Sequence, residues 1–136
     1  MISHLNHIHI VVAALVYFIL GALWYSMLFK KQWMKLVGAT GEMTDADKKA
    51  MPMIFVSTFI LNYVICFAVA SVIYFVQPMN MMADLKIAAL LGGGFVFTTT
   101  GMNNMYGKRS FQLTVIDAGY HIVGITAATI IMQMWH

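Results

Sequence analysis

Two ionisable side chains, Asp117 and His121, occur within one long apolar run of the chain. Their i, i+4 spacing places them on the same face of a helix. Measured from Phe111 at 1.5 Å per residue, Asp117 lies roughly 9 Å and His121 roughly 15 Å along that helix. A carboxylate and an imidazole inside an apolar segment are typical of proton relays and ion paths. The pair therefore predicts a site in which Asp117 is the charged group and His121 its titrating partner.

Three asparagines lie at similar distances along the helices that the other apolar runs predict. Asn62 is expected near the middle of its helix, level with His121, whereas Asn103 and Asn104 are expected at or below the level of Asp117. In one interpretation Asp117 bonds His121 or these amides, and the network fixes the order of the helices. In the other, the five side chains form a cytoplasm-facing pocket or relay for a proton, an ion or a small polar solute. The residues alone leave both interpretations open.

The composition defines the surroundings of these residues. Of 136 residues, 61% are hydrophobic and only 10% are charged, whereas soluble domains carry about 25% charged residues. So short a chain cannot cover its surface with so few charges, so most of that surface must face lipid. This excludes a soluble enzyme and a disordered chain, and the single cysteine, Cys66, excludes a disulfide scaffold. The net charge of +3 comes from residues between the apolar runs, so no nucleic-acid surface is expected.

The apolar runs predict an all-α fold, a bundle of four transmembrane helices in one domain over residues 1–136. Each run has the roughly 20 residues that a helix needs to cross a bilayer. The predicted spans are residues 8–29, 52–76, 85–105 and 111–134. Pro52 is expected in the first turn of the second span, and Pro78 just beyond its end. Thr44 and Asp47 match a capping box that would open a short helix before Pro52.

The basic residues predict the orientation of the bundle. Seven of the eight Lys and Arg residues lie in the segments 30–51 and 106–110, which four spans place on the same side. Because basic loops stay in the cytoplasm, both termini are expected outside.

Small residues predict where helices approach closely. Ala89, Gly93 and Gly101 recur along one face of the third span, and Gly124 and Ala128 follow the ionisable pair along the fourth. These residues fit either contacts within one chain or a seam between copies. Because so small a set of spans needs further burial, we expect a homo-oligomer in the bilayer.

No motif for hydrolytic or covalent catalysis, and no cofactor-binding motif, occurs in the chain, so an enzyme is not expected. Imidazole and thioether groups bind soft metals, and several histidines are expected on the outer side with methionines. Methionine is not enriched there, so no metal site is predicted and an outer-face copper or zinc protein remains the weakest alternative. The histidines in question are His4, His7, His9 and His136.

The end of the first span carries a recognisable pattern between Gly21 and Gly38. It resembles a signature of small bacterial membrane proteins known as domain of unknown function 1761, in which Met27 replaces a proline and Lys30 a glycine. The matching residues are Trp24, Tyr25, Ser26, Phe29, Lys31, Trp33 and Gly38. The resemblance implies a four-helix protein of the bacterial inner membrane and supplies no activity. It also implies that the segment from Trp24-Tyr25-Ser26 to Trp33 acts beyond anchoring, by closing the inner mouth of the bundle.

A second class of function fits the same features. The chain would then be a structural or accessory subunit of an unidentified membrane partner, with no transport of its own.

Overall fold

A computed structural model describes residues 5–134, and the described chain is helical between its turns. Four of its helical stretches are long and apolar enough to cross a membrane, which confirms the predicted four-helix architecture. We name them span 1 to span 4 in chain order; they cover His7–Leu28, Asp45–Val76, Met81–Tyr106 and Phe111–Met134. An additional short helix, Lys30–Val37, follows span 1 and ends at Gly38, whose φ of 75° is left-handed.

We call the side that carries the Lys30–Val37 helix and the turn at residues 107–110 the basic side, and the other the opposite side. Asn6 begins span 1 on the opposite side, where its side chain accepts hydrogen bonds from the N–H groups of Ile8 and His9.

Span 2 begins earlier than the sequence predicted. The capping box at Thr44 is confirmed, because Thr44 and Asp47 exchange hydrogen bonds at the first turn. The helix that it opens, however, is not short: it continues for 32 residues, so Pro52 lies inside it and not in its first turn. Proline has no N–H and leaves the carbonyl of Lys48 without its intrahelical bond. Both residues are exposed, so water can satisfy that carbonyl and the helix tolerates the interruption.

Two spans contain π-helical segments that the 3.6-residue periodicity of the sequence does not reveal. Trp24–Leu28 forms one in span 1 and Leu90–Phe97 forms the other in span 3. The first is closed by an i→i+5 bond, in which the Phe29 N–H donates to the Trp24 carbonyl at 2.9 Å. Such segments often occur at functional sites because they turn side chains out of the regular helical register.

Span 4 is the most buried of the four, and spans 1 and 3 pack closely against it. The core between spans 1, 2 and 4 contains small and apolar side chains that are almost fully buried, including Ala13, Ala14, Cys66, Val69 and Ala128. Spans 2 and 3 contact each other chiefly through Met81–Ala89, at the opposite side. Toward the basic side they are therefore apart.

The predicted packing residues lie on span 3 and span 4, and the two groups have different surroundings. Gly124 and Ala128 are both buried, and a Cβ on Gly124 would lie 2.5–2.8 Å from atoms of the Tyr17 ring. On span 3, the predicted residues Ala89 and Gly93 make no close helix contact within the chain. Ala89 is exposed and a Cβ on Gly93 would contact nothing within 4 Å.

The small residues of span 3 that face span 4 are instead Ala88 and Gly92, each one position earlier. Ala88 is fully buried, and a Cβ on Gly92 would lie 3.0 Å from Cγ1 of Ile122. Neighbouring residues point about 100° apart around a helix, so small residues in succession do not define a face. Gly101 lies beyond the π-helical segment, where an added Cβ would lie 3.6 Å from Cγ2 of Thr114.

Candidate functional site

The π-helical segment of span 1 directs two aromatic side chains toward span 4. The indole N–H of Trp24 donates to the carbonyl of Ile116 at 3.0 Å, and the Tyr25 hydroxyl donates to Oδ1 of Asp117 at 2.7 Å. Gly119 leaves room for the Trp24 ring, because a Cβ there would lie 3.2 Å from it. Ser26 turns away from this contact and donates to the carbonyl of Ala22 in its own helix. Trp24 and Tyr25 thus attach span 1 to the ionisable helix; they are two of the four residues of the predicted interface motif, Trp24, Tyr25, Ser26 and Trp33.

About two helical turns further from the basic side, a second tyrosine of span 1, Tyr17, contacts His121. The hydroxyl of Tyr17 and Nδ1 of His121 form a hydrogen bond of 2.7 Å, and the same hydroxyl lies 3.3 Å from the His121 carbonyl. Tyr17 is fully buried. Its ring fits between the helices because Gly124 has no side chain.

A third tyrosine links these contacts to span 2. The Tyr120 hydroxyl donates to the Tyr17 carbonyl at 3.3 Å and accepts from Nδ2 of Asn62 at 3.4 Å. Its ring makes edge contacts with Tyr17 and Tyr25, with centroids 5.3 and 5.5 Å apart. Asn62 is only 3% exposed, so this bond gives a buried amide a partner.

The two asparagines of span 3 have different surroundings. Asn104 is buried, and its Nδ2 donates to Oγ1 of Thr114 at 2.9 Å, which connects span 3 to span 4. Asn103 is exposed.

A cavity of about 910 Å³ lies between the four spans at the basic side. Four of the five predicted pocket residues line it, namely Asp117, His121, Asn103 and Asn104. Asn62 does not line the cavity, but its side chain bonds the hydroxyl of Tyr120, which does. The wall also includes six side chains that were not among the five predicted pocket residues: Phe18, Phe55, Thr58, Thr100, Arg109 and Tyr120. Of the interface motif, Tyr25, Ser26 and Trp33 line the cavity, whereas Trp24 packs behind it.

The structure corrects the expected pairing of the ionisable residues. Within residues 5–134, no hydrogen bond joins Asp117 to His121 or to the asparagines; each ionisable side chain bonds a tyrosine of span 1. The sequence contained a signal for this arrangement. Tyr17, Gly21 and Tyr25 recur at four-residue intervals and therefore share a helix face.

A buried carboxylate at the opposite side was also missed. Asp84, in the first turn of span 3, is 1% exposed. Its Oδ1 has no hydrogen-bond partner among the residues that the structure describes.

The candidate metal ligands do not assemble in the described part of the chain, where no group of three or more His, Cys, Asp or Glu side chains could hold a metal. His7 bonds the Tyr63 hydroxyl at 2.8 Å and His9 bonds the Asn6 amide at 3.2 Å. His4 and His136 lie outside the described residues.

Comparison with known proteins agrees with the pattern at the end of span 1. No curated protein and no solved structure matches the chain. A family model described as "Protein of unknown function (DUF1761)" matches residues 8–133, which include the cavity and all but the first residue of span 1 and the last residue of span 4. The chain therefore belongs to the DUF1761 family.

Proposed function

We propose that the cavity at the basic side binds a proton, an ion or a small polar solute, and that the basic side faces the cytoplasm. One observation carries the proposal: Asp117 and His121 line a cavity of about 910 Å³ instead of being sealed in a helix contact. An ionisable side chain within a membrane span costs on the order of 2.5–3.5 kcal/mol on insertion scales, and such residues mark substrate and ion pathways.

The tyrosine contacts support a binding role. Asp117 has two carboxylate oxygens, and the hydrogen bond from Tyr25 occupies Oδ1. The carboxylate is thus held by one partner while its side chain still lines the cavity. A network that existed only to fix helix order would have no need of a cavity at its centre.

The cavity is closed toward the opposite side in this conformation. A second cavity of about 520 Å³ lies there, and its polar wall includes Asn6, His9, Gln77 and Gln133. Along span 1 the two cavities are separated by the stretch from Ile10 to Phe18, about 12 Å of helix. Transport would therefore alternate between two conformations, of which this one has its larger cavity at the basic side.

Flux into proteoliposomes tests the proposal. The purified protein is expected to pass protons, inorganic ions or small polar solutes above the rate of empty vesicles, and Asp117→Asn is expected to abolish the difference. Glu42→Gln, which removes an exposed carboxylate in the loop before span 2, is the matched control. If neither wild type nor control exceeds empty vesicles, the proposal fails. If a protein without flux co-purifies with a membrane partner in stoichiometric amount, that result would instead support the accessory role.

A further inference from the structure

We propose that the cavity at the basic side is selective for organic cations with an apolar body, such as quaternary ammonium compounds. This inference rests on the proposed binding function and adds the chemical class of the solute. It combines one carboxylate, Asp117, with the aromatic rings that share its cavity.

The rings form an open aromatic corner around the carboxylate. Tyr25, which bonds Asp117, makes edge contacts with Trp33 on one side and Tyr120 on the other, with centroids 5.7 and 5.5 Å apart and interplanar angles of 72° and 71°. Near-perpendicular rings at this spacing can present a face and an edge to the same ligand. Cations are attracted to ring faces within about 6 Å, and such cages recognise quaternary ammonium groups.

The remaining wall fits an apolar body. Phe18 and Phe55 line the same cavity from spans 1 and 2, with centroids 6.1 Å apart. The volume of about 910 Å³ is within the range of pockets that bind organic molecules, about 300–1,000 Å³. A bare metal ion would leave most of this space unfilled.

An inorganic cation is a poor fit for another reason. Hard cations such as Ca²⁺ and Mg²⁺ need about six or more oxygen ligands at close range to replace their water. Here the wall offers a single carboxylate among aromatic, aliphatic and neutral polar side chains, and Tyr25 already donates to one of its oxygens. An organic cation has little water to lose, so one carboxylate and several rings suffice.

The basic side chains that line the cavity do not neutralise the negative charge of Asp117. Arg109 lies in the turn before span 4, and within residues 5–134 no ion pair joins it to Asp117. It is exposed at the basic end of the cavity. His121 directs Nδ1 to the Tyr17 hydroxyl at 2.7 Å. Asp117 is thus the nearest formal charge to the aromatic corner.

Equilibrium dialysis with purified protein in maltoside micelles, which contain no choline, tests the inference. The probes are benzyltrimethylammonium, benzoate and benzyl alcohol, which share an aryl body and differ in charge. We expect saturable binding of benzyltrimethylammonium that excess NaCl weakens only slightly, and little binding of the other two probes.

Two variants assign that binding to the cavity. Asp117→Asn keeps an acceptor for the Tyr25 hydroxyl and removes the charge, so the protein should fold while its affinity for the cation falls at least about tenfold. Trp33→Leu should lower the affinity for the cation by about threefold to thirtyfold. Phe111→Leu, an exposed aromatic outside the cavity, should leave binding unchanged.

The outcomes separate the two proposals. Binding of benzoate or benzyl alcohol in preference to the cation, sensitive to Trp33→Leu, would overturn cation selectivity and leave the binding cavity standing. Cation binding that is unchanged in both Asp117→Asn and Trp33→Leu would also overturn the inference. Absence of binding for all three probes, together with the absence of flux in proteoliposomes, would overturn both proposals.

Discussion

The Tyr25 hydroxyl donates a 2.7 Å hydrogen bond to Oδ1 of Asp117, and this bond joins the π-helical end of span 1 to the ionisable face of span 4. The two residues are 92 positions apart in the chain. The contact holds the carboxylate at the wall of the cavity, so the position of the charge depends on how span 1 ends.

Tyr25→Phe should destabilise the protein because it leaves Asp117 without this donor. Hydrogen bonds to charged groups contribute about 1.5–3 kcal/mol, so a loss of that size is expected. Thermal unfolding in detergent measures it, with Tyr106→Phe as the control because Tyr106 is 90% exposed. In the background of Asp117→Asn the effect of Tyr25→Phe should shrink. Equal effects in both backgrounds would show that the bond to the carboxylate is not what stabilises the contact.

Gly124→Ala should displace Tyr17. The added Cβ would lie 2.5–2.8 Å from the tyrosine ring, and overpacking of this kind costs about 1–3 kcal/mol. Gly93→Ala is the matched control, because its Cβ enters open space and alanine favours a helix over glycine by about 0.5–1 kcal/mol. Unfolding temperatures should fall for Gly124→Ala and stay level or rise for Gly93→Ala. The reverse order would contradict the packing of span 1 on span 4.

Asp84→Asn should raise stability, unlike most substitutions at buried positions. The wild-type carboxylate is buried with one oxygen unpartnered among the described residues, which costs on the order of 1–3 kcal/mol. The amide keeps the size of the side chain and removes its charge, so the unfolding temperature should increase. A clear decrease would mean that the carboxylate makes a compensating interaction in the membrane.

The expected contact between copies of the chain can be separated from contacts within one chain. Gly93→Leu should lower the fraction of cross-linked oligomer while leaving the unfolding temperature of the monomer unchanged, because Gly93 faces open space. Gly92→Leu should instead unfold the protein, since its side chain would collide with Ile122. An oligomer that is indifferent to Gly93→Leu would rule out this face of span 3 as the seam.

The predicted orientation can be tested with cysteines introduced at exposed positions. Met79 is 96% exposed at the opposite side, and Lys49 is exposed at the basic side. In intact cells a membrane-impermeant maleimide should label Met79→Cys and should label Lys49→Cys only after lysis. The native Cys66 should stay unlabelled because it is fully buried. The opposite labelling pattern would place both termini in the cytoplasm.

The sequence predicted the features that depend on composition and on local geometry. Long apolar runs identify spans, and a charge inside one of them, such as Asp117, stands out because lipid makes it costly. The capping box at Thr44 was recognisable because its hydrogen bonds lie within four residues.

The partners of the site could not be predicted in the same way. The spacing of Tyr17 and Tyr25 shows that they share a face of span 1, but only the fold shows that this face contacts His121 and Asp117 of span 4. The π-helical segments also depend on tertiary packing, and they shift the faces that a regular helix would present. Three glycines in succession do not define a face, so the sequence alone did not show that Gly92, and not Gly93, packs against span 4.

The most direct test of the central claim is whether water reaches the polar side chains from the basic side. Thr100 lines the cavity about 9 Å along the axis from Tyr106, and Met102 is exposed on span 3 outside the cavity. With a charged, impermeant thiol reagent applied from the basic side, Thr100→Cys should react, whereas Met102→Cys, facing lipid, should not. If Thr100→Cys proves as unreactive as the buried Cys66, the polar residues are sealed between helices and the cavity has no access to solute.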